Sequence, residues 1–142
     1  MAVEPLAASR SVLRLAPDRA EKRLAHWNAI ARSACEQCGR NQVPLVAPVE
    51  KLENWLARPV ADGVLRLMLA PDAEDSFASI RPSGPVPLLI GAEGGLDPQE
   101  MIAARQAGFQ AVRMGPRVLR TETAGLAALA VMQAMWGDFR EG

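Results

Sequence analysis

LLIGAEGGLDPQE, residues 88–100, is the stretch on which the reading of this chain turns. Leu88, Leu89 and Ile90 have the bulk of a buried strand. Gly91, Gly94 and Gly95 follow where a plain turn would need fewer glycines. Asp97 reads as a helix N-cap, Pro98 as the first helical residue, and Glu100 as the partner completing a capping box. The chain thus leaves a strand, opens into a glycine loop and enters a helix at once. That puts reachable backbone at the carboxyl end of a strand, where open α/β sheets bind ligands. The segment reads as half of a pocket.

Outward from this loop, strands and helices alternate. Asp18 and Glu21 bracket a capping box, and Leu24, Trp27, Ile30, Ala31, Ala34 and Cys38 recur at helical spacing up to Gly39, which predicts a helix over about 19–38. VPLVA (43–47) reads as a short strand and EKLENWLA (50–57) as a short helix ended by Pro59. GVLRLMLA (63–70) is apolar on both faces, as in a parallel strand. Residues 71–85 carry Pro71, Pro82, Gly84 and Pro85 and read as loop with one helical turn. Then come a strand at 86–90, a helix at about 98–107 closed by Gly108, and a strand at 110–114. GPRVLRTET (115–123) is a second irregular loop, and a last helix runs from about Thr123 to Trp136. This alternation predicts an α/β fold with a parallel sheet.

At 142 residues the chain is one domain by length, enough to bury roughly 68–70% of its unfolded surface. No apolar run reaches the ~20 residues that cross a bilayer. MAVEPLAASRSVLRL carries charges where a signal peptide needs an apolar core. The formal net charge is zero, so composition gives no support to general coating of nucleic acid. The basic residues are nearly all arginine, with Arg10 and Arg14 early and Arg113, Arg117 and Arg120 late. Arginine suits bidentate phosphate recognition, and GC-rich coding produces the same bias.

CEQCG (35–39) holds both cysteines. A structural zinc site needs four ligands, and the only histidine is His26, upstream on the same predicted helix. A redox pair belongs at a helix start, whereas this pair lies at a helix end. The two cysteines read as small core residues, and Trp27, Trp55 and Trp136 as packing residues. From Ala124 to Trp136 the one clearly polar side chain is Gln133. A helix apolar all round must be covered all round. The simplest cover for its second side is another copy of the chain, which predicts a homodimer through this helix.

Three segments together resemble one family. EQCGRNQVP (36–44), LLIGAEGGLDPQE (88–100) and MGPRVLRTETAGLAAL (114–129) are similar to the RsmE family, in the right order across nearly the whole chain. The resemblance implies a SPOUT-superfamily methyltransferase whose carboxyl-terminal segment threads a loop to form a trefoil knot. It implies S-adenosylmethionine as cofactor, methylation of uridine N3 in 16S ribosomal RNA of the small subunit, and a cytoplasmic location. Two departures stand out. Ala92 occupies a position where the family usually has proline. MAVEPLAASRSVLRL resembles the part of the catalytic domain that follows a PUA-type RNA-binding domain and a first strand and helix, with the Arg-Ser-Val pattern at Arg10, Ser11 and Val12. Residues 1–142 are therefore expected to be a shortened SPOUT domain, its sheet one strand short with an exposed edge.

Carried over by motif, the cofactor residues are Leu67 and Leu69, then Ile90, Gly91, Glu93, Gly94 and Gly95, then Met114, Gly115, Arg117, Val118 and Leu119. An adenine needs a flat apolar slot with backbone hydrogen bonds, which Ile90, Met114, Val118 and Leu119 can line; each alone also fits plain core packing. Glu93 fits either a structural tie to backbone amides or a cofactor contact. Methyl transfer to N3 needs proximity, loss of the imide proton, and stabilisation of charge on the uracil carbonyls. Arg120 and Glu122 of LRTET are the catalytic candidates, Arg120 for phosphate or carbonyl oxygen and Glu122 for positioning or proton removal. Glu122 equally fits a favourable charge in a first helical turn, and Thr121 or Thr123 its N-cap. Arg10, Glu36, Gln37, Arg40 and Asn41 are the RNA-facing candidates, the last four also fitting a solvated helix end. No metal site is expected. A different class of reading is a cofactor-binding or dimerisation module without catalysis. A nucleotide-phosphate binder fits poorly, since no lysine follows the glycines and no Gly-x-Gly-x-x-Gly is present.

Overall fold

The structure, a computed structural model, describes residues 1–11 and 16–140; Val12 and Arg14 lie outside them. Its centre is a three-stranded parallel sheet of β5 (Arg66–Leu69), β6 (Leu88–Leu89) and β7 (Phe109–Val112), in the order β6-β5-β7. Leu67 pairs with Leu88 on one side of β5 and with Gln110 on the other. β5 and β6 are shorter than the apolar runs predict. Gly63 turns the chain at φ 79° before β5, and Pro87 has no N–H to give a ladder. Its carbonyl still accepts from the Leu67 N–H at 2.9 Å.

Successive side chains of a strand point to opposite faces, and β5 shows what that does in a central parallel strand. Met68 packs with Leu52, Leu89, Ala104 and Phe109, under α2 (Leu52–Leu56) and α3 (Pro98–Gln106). Leu67 packs with Phe77, Ile80, Val112 and Ala128, under α4 (Thr121–Trp136). Both are wholly buried. Covering both faces leaves little of the central strand solvated, which is why β5 reads as an apolar run. Arg66 is the exception. Its guanidinium lies 5.3 Å from the Phe109 ring centre and donates to the Ala107 carbonyl at 2.5 Å.

Two shorter parallel ribbons complete the strand inventory among the described residues. β1 (Ala2–Val3) pairs with β3 (Leu45–Val46), and β2 (Leu6–Ala7) with β4 (Glu50–Lys51). Prolines punctuate both sides, Pro5 between β1 and β2 and Pro48 between β3 and β4. Residues 50 and 51, expected in a helix, are thus strand, and α2 begins at Leu52.

α1 (Pro17–Cys38) starts two residues before the expected position, and its N-cap is Ala16 with no side-chain bond. The expected box of Asp18 and Glu21 does not form. Asp18 sits inside the first turn, where it faces the positive end of the helix dipole. Gly39 at φ 74° closes the helix, and the Arg40 N–H reaches the Cys35 carbonyl at 3.0 Å. The cysteines split: Cys35 is buried and Cys38 exposed, both unpaired. Only part of the expected apolar face is covered, with Leu24, Trp27 and Ala31 half-buried and Ile30 53% exposed.

α4 begins at Thr121, two residues earlier than expected, with Arg120 at the N-cap and no side-chain cap bond. Ala124 and Ala128 face the core, while Leu126 is 74% exposed on the other side. Trp55 and Trp136 are packing residues, stacked obliquely on Phe109 and Phe77 at 5.5 and 5.7 Å. Among the described residues no helix is long and apolar enough to cross a membrane.

Candidate cofactor site

The carboxyl ends of β5, β6 and β7 point the same way, because the strands are parallel. The segments that leave them surround a cavity of about 200 Å³. Leu69 to Asp72 supply one wall, Ile90 to Glu93 with Gly95 and Leu96 a second, and Val112 to Met114 with Arg117 to Leu119 a third; Met101, Thr121 and Ala124 close it.

The glycine loop is held in shape locally. The Gly95 N–H donates to the Ala92 carbonyl at 2.7 Å, and Gly95 adopts φ 71°. A Cβ on Gly91 would stand 2.7 Å from the Leu96 backbone nitrogen. Gly91 is thus glycine because the loop folds back on itself, not only to admit a ligand. The capping box then opens α3 as the sequence predicts: Asp97 accepts from the Glu100 N–H at 2.8 Å, and Glu100 from the Asp97 N–H at 2.9 Å.

This loop and the start of α4 are tied together across the cavity mouth. Thr121 Oγ1 donates to the Ala92 carbonyl at 2.9 Å. A Cβ on Gly125 would touch Ile90 Cδ1 at 3.4 Å, so the first turns of α4 lie close on β6's end. Two of the three segments that carry the resemblance therefore meet in space.

Of the residues carried over for the cofactor, Leu69, Ile90, Gly91, Glu93, Gly95, Met114, Arg117, Val118 and Leu119 line the cavity. Leu67, Gly94 and Gly115 do not. Leu67 points to the same face of β5 as Leu69 but two residues deeper, wholly buried under α4. Gly94 turns its open side outward to Arg10. Gly115 takes φ 71° at the exposed start of the second loop. Lining residues not carried over for the cofactor include Asp72, Leu96, Met101, Arg113 and Thr121. Asp72 follows β5 directly and could have been found by extending the strand-end rule to that strand. Met101 sits on the inward side of α3, a placement only the packing decides.

Neither Arg120 nor Glu122 lines the cavity; both are exposed and flank Thr121, which does. Arg10 donates from Nη1 to the Gly94 carbonyl at 2.7 Å. Glu36, Gln37, Arg40 and Asn41 are all exposed at the end of α1, outside the cavity lining. Among the described residues no three His, Cys, Asp or Glu side chains come together to hold a metal.

Residues 1–133 match the family model described as RNA methyltransferase domain. Among curated proteins, the chain is 36% identical to ribosomal RNA small subunit methyltransferase E of Buchnera aphidicola (subspecies Schizaphis graminum) over 82% of its length and 48% of that protein's. It is also 36% identical to the protein of the same name from Mycobacterium bovis, covering 91% of this chain and 52% of that one. Among solved structures, the Neisseria gonorrhoeae ribosomal RNA small subunit methyltransferase E bound to S-adenosyl methionine superposes with a TM-score of 0.88 at 44% identity, over 97% of this chain and 56% of that one. A Legionella pneumophila protein solved in complex with the same cofactor gives a TM-score of 0.87 at 36% identity, over 94% and 55%. The chain spans about half the length of the relatives it matches. With its parallel sheet and a cavity at the strands' carboxyl ends, it belongs to the RsmE family of SPOUT-type RNA methyltransferases.

Proposed function

We propose that this chain holds S-adenosylmethionine in the cavity at the ends of β5, β6 and β7, and takes part in methylating N3 of a uridine in 16S ribosomal RNA. The observation that carries the reading is the closure of the glycine loop onto the start of α4 by the Thr121–Ala92 bond. It brings side chains of three loops around one space. Those residues suit the group. Leu69, Ile90, Met114 and Leu119 offer apolar walls to a flat base. Asp72, Glu93, Arg113 and Arg117 place both signs of charge around the same space, matching a ligand with a cationic centre and a carboxylate.

When bound, the cofactor supplies an already activated methyl on a sulfonium. The residues then have two tasks, orientation and disposal of a proton. Rigid walls fix the donor, so the barrier falls through proximity rather than covalent chemistry. With the cofactor bound, the imide N3–H would leave as the N–C bond forms and the methyl's bond to sulfur breaks. Glu122, exposed in the first turn of α4, accepts that proton, and Arg120 beside it faces the charge that develops on the uracil oxygens. RNA arrives on the open side where Arg120, Val118 and Leu119 are exposed. We also assign to this chain the threaded carboxyl-terminal tail of a trefoil knot, a homodimer through α4, and a cytoplasmic site of action.

Calorimetry on the chain tests the first step, with binding of S-adenosylmethionine and none of ATP as the expected result. Methyl transfer to small-subunit particles tests the second. Arg120→Ala should leave cofactor affinity within about twofold and cut methyl transfer by roughly 10²–10³, the loss usual for one charge-stabilising donor. Unchanged transfer would remove Arg120 from the mechanism.

A further inference from the structure

The amino-terminal segment lies against the outside of the loop whose inside walls the cavity. Arg10 Nη1 donates to the Gly94 carbonyl at 2.7 Å. The stem of the same side chain crosses the Gly94 α-carbon: a Cβ there would stand 3.1 Å from Arg10 Cδ and 3.2 Å from its Cβ. One residue earlier, Ser9 Oγ donates to Asp97 Oδ2 at 2.6 Å, and the Ser9 N–H to Glu100 Oε1 at 2.7 Å. Asp97 and Glu100 are the two halves of the box that opens α3. Two adjacent residues thus grip the glycine loop at its apex and at its exit, across more than eighty residues of chain.

A loop with three glycines in five residues has more backbone freedom to lose than a loop of the same length without glycine. Among the described residues, its other ties are the Gly95–Ala92 turn, the bond from Thr121 and the capping box at Asp97. Gly94 faces away from the cavity, so its missing side chain is explained by Arg10 and not by a ligand. We propose that Ser9 and Arg10 form a positioning clamp that presets the Gly91–Asp97 loop in its cofactor-binding shape from outside the cavity. This rests on the cofactor reading above. Arg10 is then a loop-positioning residue and not an RNA ligand. The physical basis is pre-organisation: a loop already ordered loses less entropy when a ligand arrives.

The test uses the full chain with two readouts. Loss of a charged donor to the loop carbonyl should weaken S-adenosylmethionine binding about tenfold or more in Arg10→Ala, as measured by calorimetry. Exchange of the Gly95 amide in the free protein should accelerate by a similar factor, while the thermal midpoint stays put because Arg10 is exposed. Arg10→Lys, which keeps one donor, should recover part of both, and Ser9→Ala should mimic a weaker Arg10→Ala. Wild-type affinity and unchanged Gly95 exchange in Arg10→Ala overturn the clamp, even if methylation of RNA falls. If the wild type binds no S-adenosylmethionine, the cofactor reading fails, and the exchange readout still decides whether Arg10 orders the loop.

Discussion

At residue 91 a methyl group would stand 2.7 Å from the Leu96 backbone nitrogen, and no side-chain adjustment relieves a contact between two stretches of main chain. Gly91→Ala should therefore destabilise the fold by about 1–3 kcal/mol, the range for overpacking a filled site. Urea denaturation checks it; a loss below the error of the measurement would mean that the loop opens freely. Asp97 carries a second prediction. The Ser9 hydroxyl, and then the Glu100 N–H, hold its carboxyl below the usual aspartate range. A depressed folded pKa stabilises fully above the unfolded value of about 4 and is lost as pH falls through the folded value. The stability advantage of wild type over Asp97→Asn should be present at neutral pH and shrink below about pH 4. A gap that is constant from pH 7 to pH 2.5 would show that the charge on Asp97 adds nothing.

Among the elements, α4 carries apolar side chains on both its buried and its exposed sides. Ala124 and Ala128 pack on the sheet, and small residues there let the helix lie close enough for Gly125 to meet Ile90. On the far side Leu126 is 74% and Leu129 44% exposed. Two large apolar side chains one turn apart at the surface of a helix suit a partner surface. Leu126→Glu should convert a dimer to monomer at micromolar concentration in light scattering, with the folded spectrum retained. A wild-type monomer at that concentration would end the dimer proposal. The polar end of α1 shows the converse. Glu36, Gln37, Arg40 and Asn41 are exposed as a solvated helix end would be, and their geometry adds no ligand to that picture.

Over the whole molecule, stability and site share one strand. β5 buries Met68 toward α2 and α3 and Leu67 toward α4, and its next residues, Leu69 to Asp72, become a wall of the cavity. Leu67→Ala should cost about 2–5 kcal/mol, as for a buried leucine whose surroundings cannot collapse. It should also weaken cofactor binding less than Leu69→Ala, because Leu67 does not reach the cavity. Equal losses of affinity for the two variants would place the site deeper than the cavity described.

Local chemistry alone determined several features. The box of Asp97 and Glu100, the stop at Gly39, the buried run of β5 and the glycine loop after β6 each follow from residues within a few positions of one another, so spacing reveals them. The same logic misplaced the start of α1, where Asp18 and Glu21 fit a box by pattern but Pro17 begins the helix earlier. Tertiary packing decided the rest. Pairing of β1 with β3 and β2 with β4 drew Glu50 and Lys51 out of a helix, and sheet depth separated Leu67 from Leu69. Arg10 was legible as a charge but not as a tie to Gly94, since the bond joins residues 84 positions apart. Contacts of that separation are set by how the sheet and helices stack, and no period within the chain encodes them.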